Sequence, residues 1–174
     1  MSTFDKRCNL GIIAYIVTKK PNIGRTAMMK LIYIMQDVFN IKLGYNYEIY
    51  TYGPYSTEVL DDLDLAEDKK VLTSAKTQYG YHFNCAENTD VAIKSVQEFI
   101  QSNQENIDKV IECFADRTAK ELELSATIIY VYKSLEASKK TVIAKVHDIK
   151  PHFDLSTIEE EYARLESINI IRAA

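Results

Sequence analysis

Three features of the sequence predict a mainly α fold with a small β wing, an α+β architecture. Apolar residues recur at three- and four-residue steps through most of the 174 residues. The stretch Tyr45–Tyr52 breaks that rhythm with tyrosines and β-branched residues, which favour a strand. Two further short runs, Val71–Ala75 and Tyr79–Phe83, have the length and composition of a hairpin.

The elements follow in order. Residues 5–18 pattern as a first helix, with Cys8, Ile12, Ala14 and Ile16 near one face. Pro21-Asn22-Ile23-Gly24 reads as a tight turn into a second helix that starts at Arg25. Its apolar stripe is Ala27, Met28, Leu31, Ile32, Met35, Val38 and Phe39, and Asn40 and Gly44 are stop signals. Along the next strand Tyr47, Ile49 and Thr51 share one face, and Glu48, Tyr50 and Tyr52 the other. Gly53-Pro54 forces a turn, and Ser56 is placed to cap a third helix over 56–67 with Val59, Leu60, Leu63 and Ala66 inward. With strands over 71–75 and 79–83, the order is helix–helix–strand–helix–strand–strand. That is the order of a winged helix-turn-helix, with residues 71–85 as the wing.

The polar stretch 86–90 is the expected boundary between a winged-helix domain (1–86) and a helical C-terminal region (87–174) packed against it. In that region Ala92, Val96, Phe99 and Ile100 mark one short helix, and Ile107, Val110, Ile111 and Phe114 a second. Thr118 and Glu121 have capping-box spacing before a helix that runs to Leu135. Val142, Val146 and Ile149 stripe the next, which Pro151 stops. Ser156 and Glu159 repeat the capping-box spacing before a last helix striped by Ile158, Tyr162, Leu165 and Ile168.

The run Met29-Lys30-Leu31-Ile32-Tyr33-Ile34-Met35-Gln36, followed by Tyr52-Gly53-Pro54-Tyr55-Ser56, resembles the YwgA-like family of prokaryotic winged-helix proteins. More distantly it is similar to the Panacea domain of SocA-type antitoxins. Leu122-Glu123-Leu124-Ser125-Ala126-Thr127 and Lys150-Pro151-His152-Phe153 stand where that family carries similar elements, so the likeness spans most of the chain. The Panacea pattern has a tryptophan before its Gly-Pro, whereas this chain has tyrosines there and no tryptophan. The resemblance implies a winged-helix fold and an antitoxin-like regulatory role.

Composition narrows the function classes. Hydrophobic residues at 47% and charged residues at 26% suit a globular domain. No apolar run approaches the length of a membrane span, and the N-terminus lacks a signal-peptide pattern. Cys8, Cys85 and Cys113 are odd in number and widely spaced, which suits a reducing, cytoplasmic compartment. Residues 1–52 carry seven Lys/Arg against three acids, while the net charge of the whole is −4. That local basic bias is a candidate nucleic-acid footprint, weighed against ordinary solvated charge.

Catalytic and metal chemistry find little support. His147 and His152 are separated by Pro151 and do not form an i, i+4 ligand pair, so neither metal nor cofactor is expected. Cys8 and Cys113 lie on apolar stripes, where an inert buried thiol is the default. Gly24, Gly44, Gly53 and Gly80 are isolated and build no phosphate loop. No enzyme is therefore expected.

The third helix carries more information. In a winged helix it is the element that enters the DNA major groove, yet here it displays Glu58, Asp61, Asp62, Asp64, Glu67 and Asp68. The expected function is thus a non-catalytic regulatory or protein-interaction module, antitoxin-like, that meets a basic protein surface. Its expected contact residues are Tyr52, Tyr55, Glu58, Asp61 and Asp62. The alternative is a DNA-binding transcriptional regulator using Arg7, Lys19, Lys20, Arg25, Lys30 and the wing residue Lys76. A homodimer is compatible with either reading.

Overall fold

The computed structural model describes residues 6–172, with side chains from Cys8 onward. In chain order the elements are α1 (Lys6–Lys19), β1 (Ile23–Gly24), α2 (Arg25–Asp37), β2 (Glu48–Tyr50), β3 (Gly53–Tyr55), α3 (Thr57–Asp68), β4 (Leu72–Thr77) and β5 (Gly80–Cys85). There follow α4 (Thr89–Ser95), α5 (Gln97–Phe114), α6 (Ala119–Leu135), α7 (Lys139–Ile149) and α8 (Leu155–Ser167). The fold is mainly helical with small antiparallel sheets, the predicted α+β class. None of these helices is long and apolar enough to cross a membrane. The chain divides into two compact units, Met1–Tyr47 with Ser56–Ala119, and Glu48–Tyr55 with Lys120–Ala174. This division differs from the expected one at residue 86.

In the first unit the antiparallel sheet has the order β1-β5-β4. Ile23 and Gly24, expected to be only a turn, pair with Phe83 and His82. β4 and β5 pair from Leu72 with Cys85 to Thr77 with Gly80, and Gly80 takes a positive φ of 104° that suits glycine. Ile12, Ile13 and Ile16 of α1, Val59, Leu63 and Ala66 of α3, Phe83 of β5 and Phe114 of α5 are fully or almost fully buried. α2 is buried on every side from Met28 to Met35, more than a one-faced stripe predicts.

Residues 86–90 are tied back to residues 69–71 by hydrogen bonds. Buried Thr89 donates its hydroxyl to the Val71 carbonyl at 2.7 Å, and Asn88 donates to the Lys69 and Lys70 carbonyls. α4 then packs on α1 at Gly11. A Cβ on Gly11 would lie 2.1 Å from Val96 Cγ2 and 3.0 Å from the Ala92 carbonyl oxygen. Gly11→Ala is therefore expected to destabilise by about 1–3 kcal/mol through overpacking, against about 1 kcal/mol of gained helix propensity. A urea midpoint above that of the wild type would show that the contact at Gly11 yields without cost.

The expected strand over residues 45–52 shortens to β2. The Gln36 side chain accounts for this. Its amide donates to the Tyr45 carbonyl and accepts from the Tyr45 N–H, both at 2.8 Å, so that backbone is satisfied outside a sheet.

In the second unit β2 and β3 form a two-stranded hairpin, with Ile49 opposite Pro54. Glu123 of α6 and Lys150, just past α7, are both buried, with Lys150 Nζ 2.8 Å from Glu123 Oε1. The same ammonium donates to the Thr51 carbonyl of the hairpin, and His152 Nε2 stands 3.4 Å from Glu123. A second cluster joins buried Ser125 and Glu161 to half-buried Arg164, with Arg164 2.8 Å from the Glu161 carboxylate. α8 is capped by Asp154, which accepts from the Thr157 N–H at 2.8 Å, and not by the expected Ser156. Asp154 also takes the Ser156 hydroxyl, and the bonds from Thr157 and Ser156 hold its carboxyl below the usual carboxylate range.

Candidate functional site

α3 runs along the surface of the first unit with Val59, Leu63 and Ala66 inward. Its first turn is not capped as expected. Ser56 holds the N-cap position in an extended conformation, but its hydroxyl is buried without a hydrogen-bond partner.

The six acids of this segment fall into three groups. Asp62, expected at the contact surface, is only 3% exposed, because the α3 turn that buries Leu63 carries it inward too. It accepts from the Tyr45 hydroxyl at 2.8 Å and from Asn9 Nδ2 at 3.2 Å. Three others are engaged locally: Glu58 holds the Asn46 N–H at 2.7 Å, Asp64 pairs with Arg25 at 2.9 Å, and Glu67 accepts from the Ser74 hydroxyl. Asp61 and Asp68 are exposed and have no partner among the described residues. Glu58 and Asp64 are exposed despite their bonds, so the outward face of the helix keeps its carboxylates up to Lys69 and Lys70 at its end. Lys70 is itself drawn to Glu87 at 3.6 Å.

Beside α3 lies a small cavity of about 170 Å³, lined by Asn9, Leu43, Gly44 and Tyr45 together with Glu58, Asp61 and Asp62. Asn9 is buried in its lining, a place the sequence did not flag because a lone asparagine on a helix is usually solvated. Burial raises the Tyr45 hydroxyl far above the ordinary tyrosine value, and the neighbouring Asp62 carboxylate adds to the shift. Tyr47 is raised for the same first reason. Its ring meets Tyr33 edge-on at 5.0 Å, and its hydroxyl is buried without a hydrogen-bond partner.

The tyrosines thus separate. Tyr45 and Tyr47 turn into the first unit, while Tyr50, Tyr52 and Tyr55 sit on the hairpin of the second. Tyr52 is 68% exposed, and Tyr55 is half-buried against the Tyr50 ring at 5.2 Å.

The basic residues expected to serve DNA are scattered. Lys30 is buried at 2% exposure and cannot meet a ligand from solution, because α2 is enclosed on all sides. The Arg7 side chain lies outside the described residues. Lys20 pairs with Asp116 at 2.5 Å, Lys19 lies near the Tyr15 ring, and Arg25 is half-buried with Asp64. Lys76 is exposed on the wing hairpin. There Arg25 and Lys76 stand 5.2 and 5.9 Å from the centre of the Tyr81 ring, and Tyr79 at the turn is 82% exposed. Among the described residues, no group of three His, Cys, Asp or Glu side chains is arranged to hold a metal ion. No protein-family model matches the chain, and no curated protein sequence matches it.

Proposed function

We propose that the chain is a non-catalytic, antitoxin-like interaction module of winged-helix type whose α3 meets a basic protein surface. The order α1-β1-α2-α3-β4-β5 in the first unit, with the sheet order β1-β5-β4, supports the winged-helix reading. The residues shared with the YwgA-like and Panacea patterns support it independently. One observation carries the functional choice: α3, in the recognition position, keeps Glu58, Asp61, Asp64 and Asp68 exposed, and two of these have no partner among the described residues. Carboxylates on this face oppose a phosphate backbone that carries about one charge per 1.7 Å of axis. The same carboxylates attract lysine and arginine, and they steer association with a basic partner.

Charge reversal tests this reading. Asp61→Lys with Asp68→Lys leaves the buried Asp62 bonds intact. The pair is expected to reduce capture of the cognate partner from host lysate by about tenfold or more, with the loss falling on the association rate. Undiminished capture by the reversed protein would reject the acidic face as the contact.

A DNA-binding reading has its own observation, the Arg25–Tyr81–Lys76 stack beside exposed Tyr79 on the wing. On that reading the wing, not α3, touches the duplex.

A further inference from the structure

In the second unit, α7 and α8 leave an open groove of about 760 Å³ between them. Its floor is apolar and low, because Ala144 and Ala163 stand where larger side chains would fill it, and both are exposed. Leu155, at one end of this floor, is 48% exposed. The two walls have opposite charge: Lys139 and Lys140 come from α7, and Glu159 and Glu160 from α8. Lys139 is already committed, 2.8 Å from Glu166 and 4.9 Å from the centre of the Tyr162 ring. Lys140, Glu159 and Glu160 are exposed and have no partner among the described residues.

We propose that this groove is the interface of a two-fold homodimer. The occupant follows from the charge pattern. A surface with a positive and a negative group on its two walls is matched by its own copy, turned about a two-fold axis that crosses the line between them. Lys140 of one copy then meets Glu159 and Glu160 of the other, and the reciprocal pair forms at the same time. The axis passes over the alanine floor, so the two floors close on each other and cover both copies of Leu155. Small floor residues permit close approach of the helices, and apolar burial supplies the attraction that exposed ion pairs alone do not. A partner of a single charge would satisfy one wall and oppose the other.

Sedimentation velocity of the full chain, from micromolar to millimolar concentration, tests the proposal with two charge variants. Lys140→Glu makes the free charges of the groove acidic, and Glu159→Lys with Glu160→Lys makes them basic. The wild type is expected to form dimers as concentration rises, and each variant alone to remain monomeric with unchanged circular dichroism. An equimolar mixture of the two variants is expected to regain the dimer, since an acidic groove now faces a basic one. Ala163→Arg, which fills the floor, is expected to abolish association in any combination. A wild type that stays monomeric at millimolar concentration overturns the proposal. So does a dimer indifferent to these substitutions, or a mixture that fails to reassociate.

Discussion

Lys150→Met is expected to destabilise the protein by about 3–5 kcal/mol, the usual consequence of leaving a buried charge without its partner. Lys150 and Glu123 have side chains only 1% and 8% exposed, and their 2.8 Å approach is the principal compensation for removing both from water. Methionine reproduces the length and the apolar stem but supplies no donor. The Glu123 carboxylate is then left facing His152 Nε2 at 3.4 Å, and the Thr51 carbonyl loses its ammonium donor. Loss of that donor also loosens the hairpin, so Tyr50 and Tyr52 should show faster backbone amide exchange. The double variant Lys150→Met/Glu123→Leu should recover most of the loss, because an apolar pair of similar volume needs no compensation. Urea denaturation of the two single variants and the double variant measures the coupling. A double variant whose loss equals the sum of the two single losses would show that the pair contributes nothing.

Alkaline pH is expected to destabilise the first unit. Tyr45 and Tyr47 both have their hydroxyls raised above the ordinary tyrosine value of about 10, with burial as the leading cause. Above that pH the unfolded chain releases both protons while the folded chain retains them. The folded state therefore binds more protons, and stability falls as pH rises. Each group contributes a slope of about 1.4 kcal/mol per pH unit, so the two together give about 2.7. Below pH 10 both states keep the protons and this contribution is fully present. Urea midpoints measured from pH 7 to 11 should be level with respect to these groups and then drop. In Tyr47→Phe the drop should halve, with little change at neutral pH because that hydroxyl has no hydrogen-bond partner. Tyr45→Phe should halve it as well, but at neutral pH it should also lose about 1–2 kcal/mol with the bond to Asp62. An unchanged alkaline slope in both variants would contradict the assignment.

Periodicity made the helices legible. The stripes of α2, α3, α7 and α8 were readable because Leu31, Leu63, Val146 and Ile158 recur at helical steps and are buried. It failed where tertiary partners decide. Ile23 and Gly24 pair with β5 although two residues between Pro21-Asn22 and a helix look like a turn. Tyr45 leaves its predicted strand because Gln36, nine residues earlier, satisfies its backbone. α4 and the joint at Thr89 belong to the first unit because Gly11 admits a close helix contact that no local pattern announces.

The candidate site was legible in composition but not in orientation. The acidity of α3 is plain in the sequence. That Asp62 turns inward onto Tyr45 and Asn9, while Asp61 beside it faces solvent, depends on which turn meets the core. Lys30 misled for the same reason: a lysine one residue before a buried leucine reads as exposed unless the helix is enclosed all round. Glu123 and Lys150 were noticed only as parts of two family-like motifs, and their pairing across 27 residues had no sequence signal.

The central claim is that the acidic face of α3 meets a basic protein and does not lie against a polyanion. Fluorescence anisotropy of a labelled mixed-sequence duplex, titrated with the protein at low salt and again at moderate salt, addresses it most directly. The account predicts no saturable rise in anisotropy at either salt concentration. Saturable binding at low salt that weakens steeply as salt is added, and that is lost in Lys76→Glu, would contradict it and place the wing on DNA.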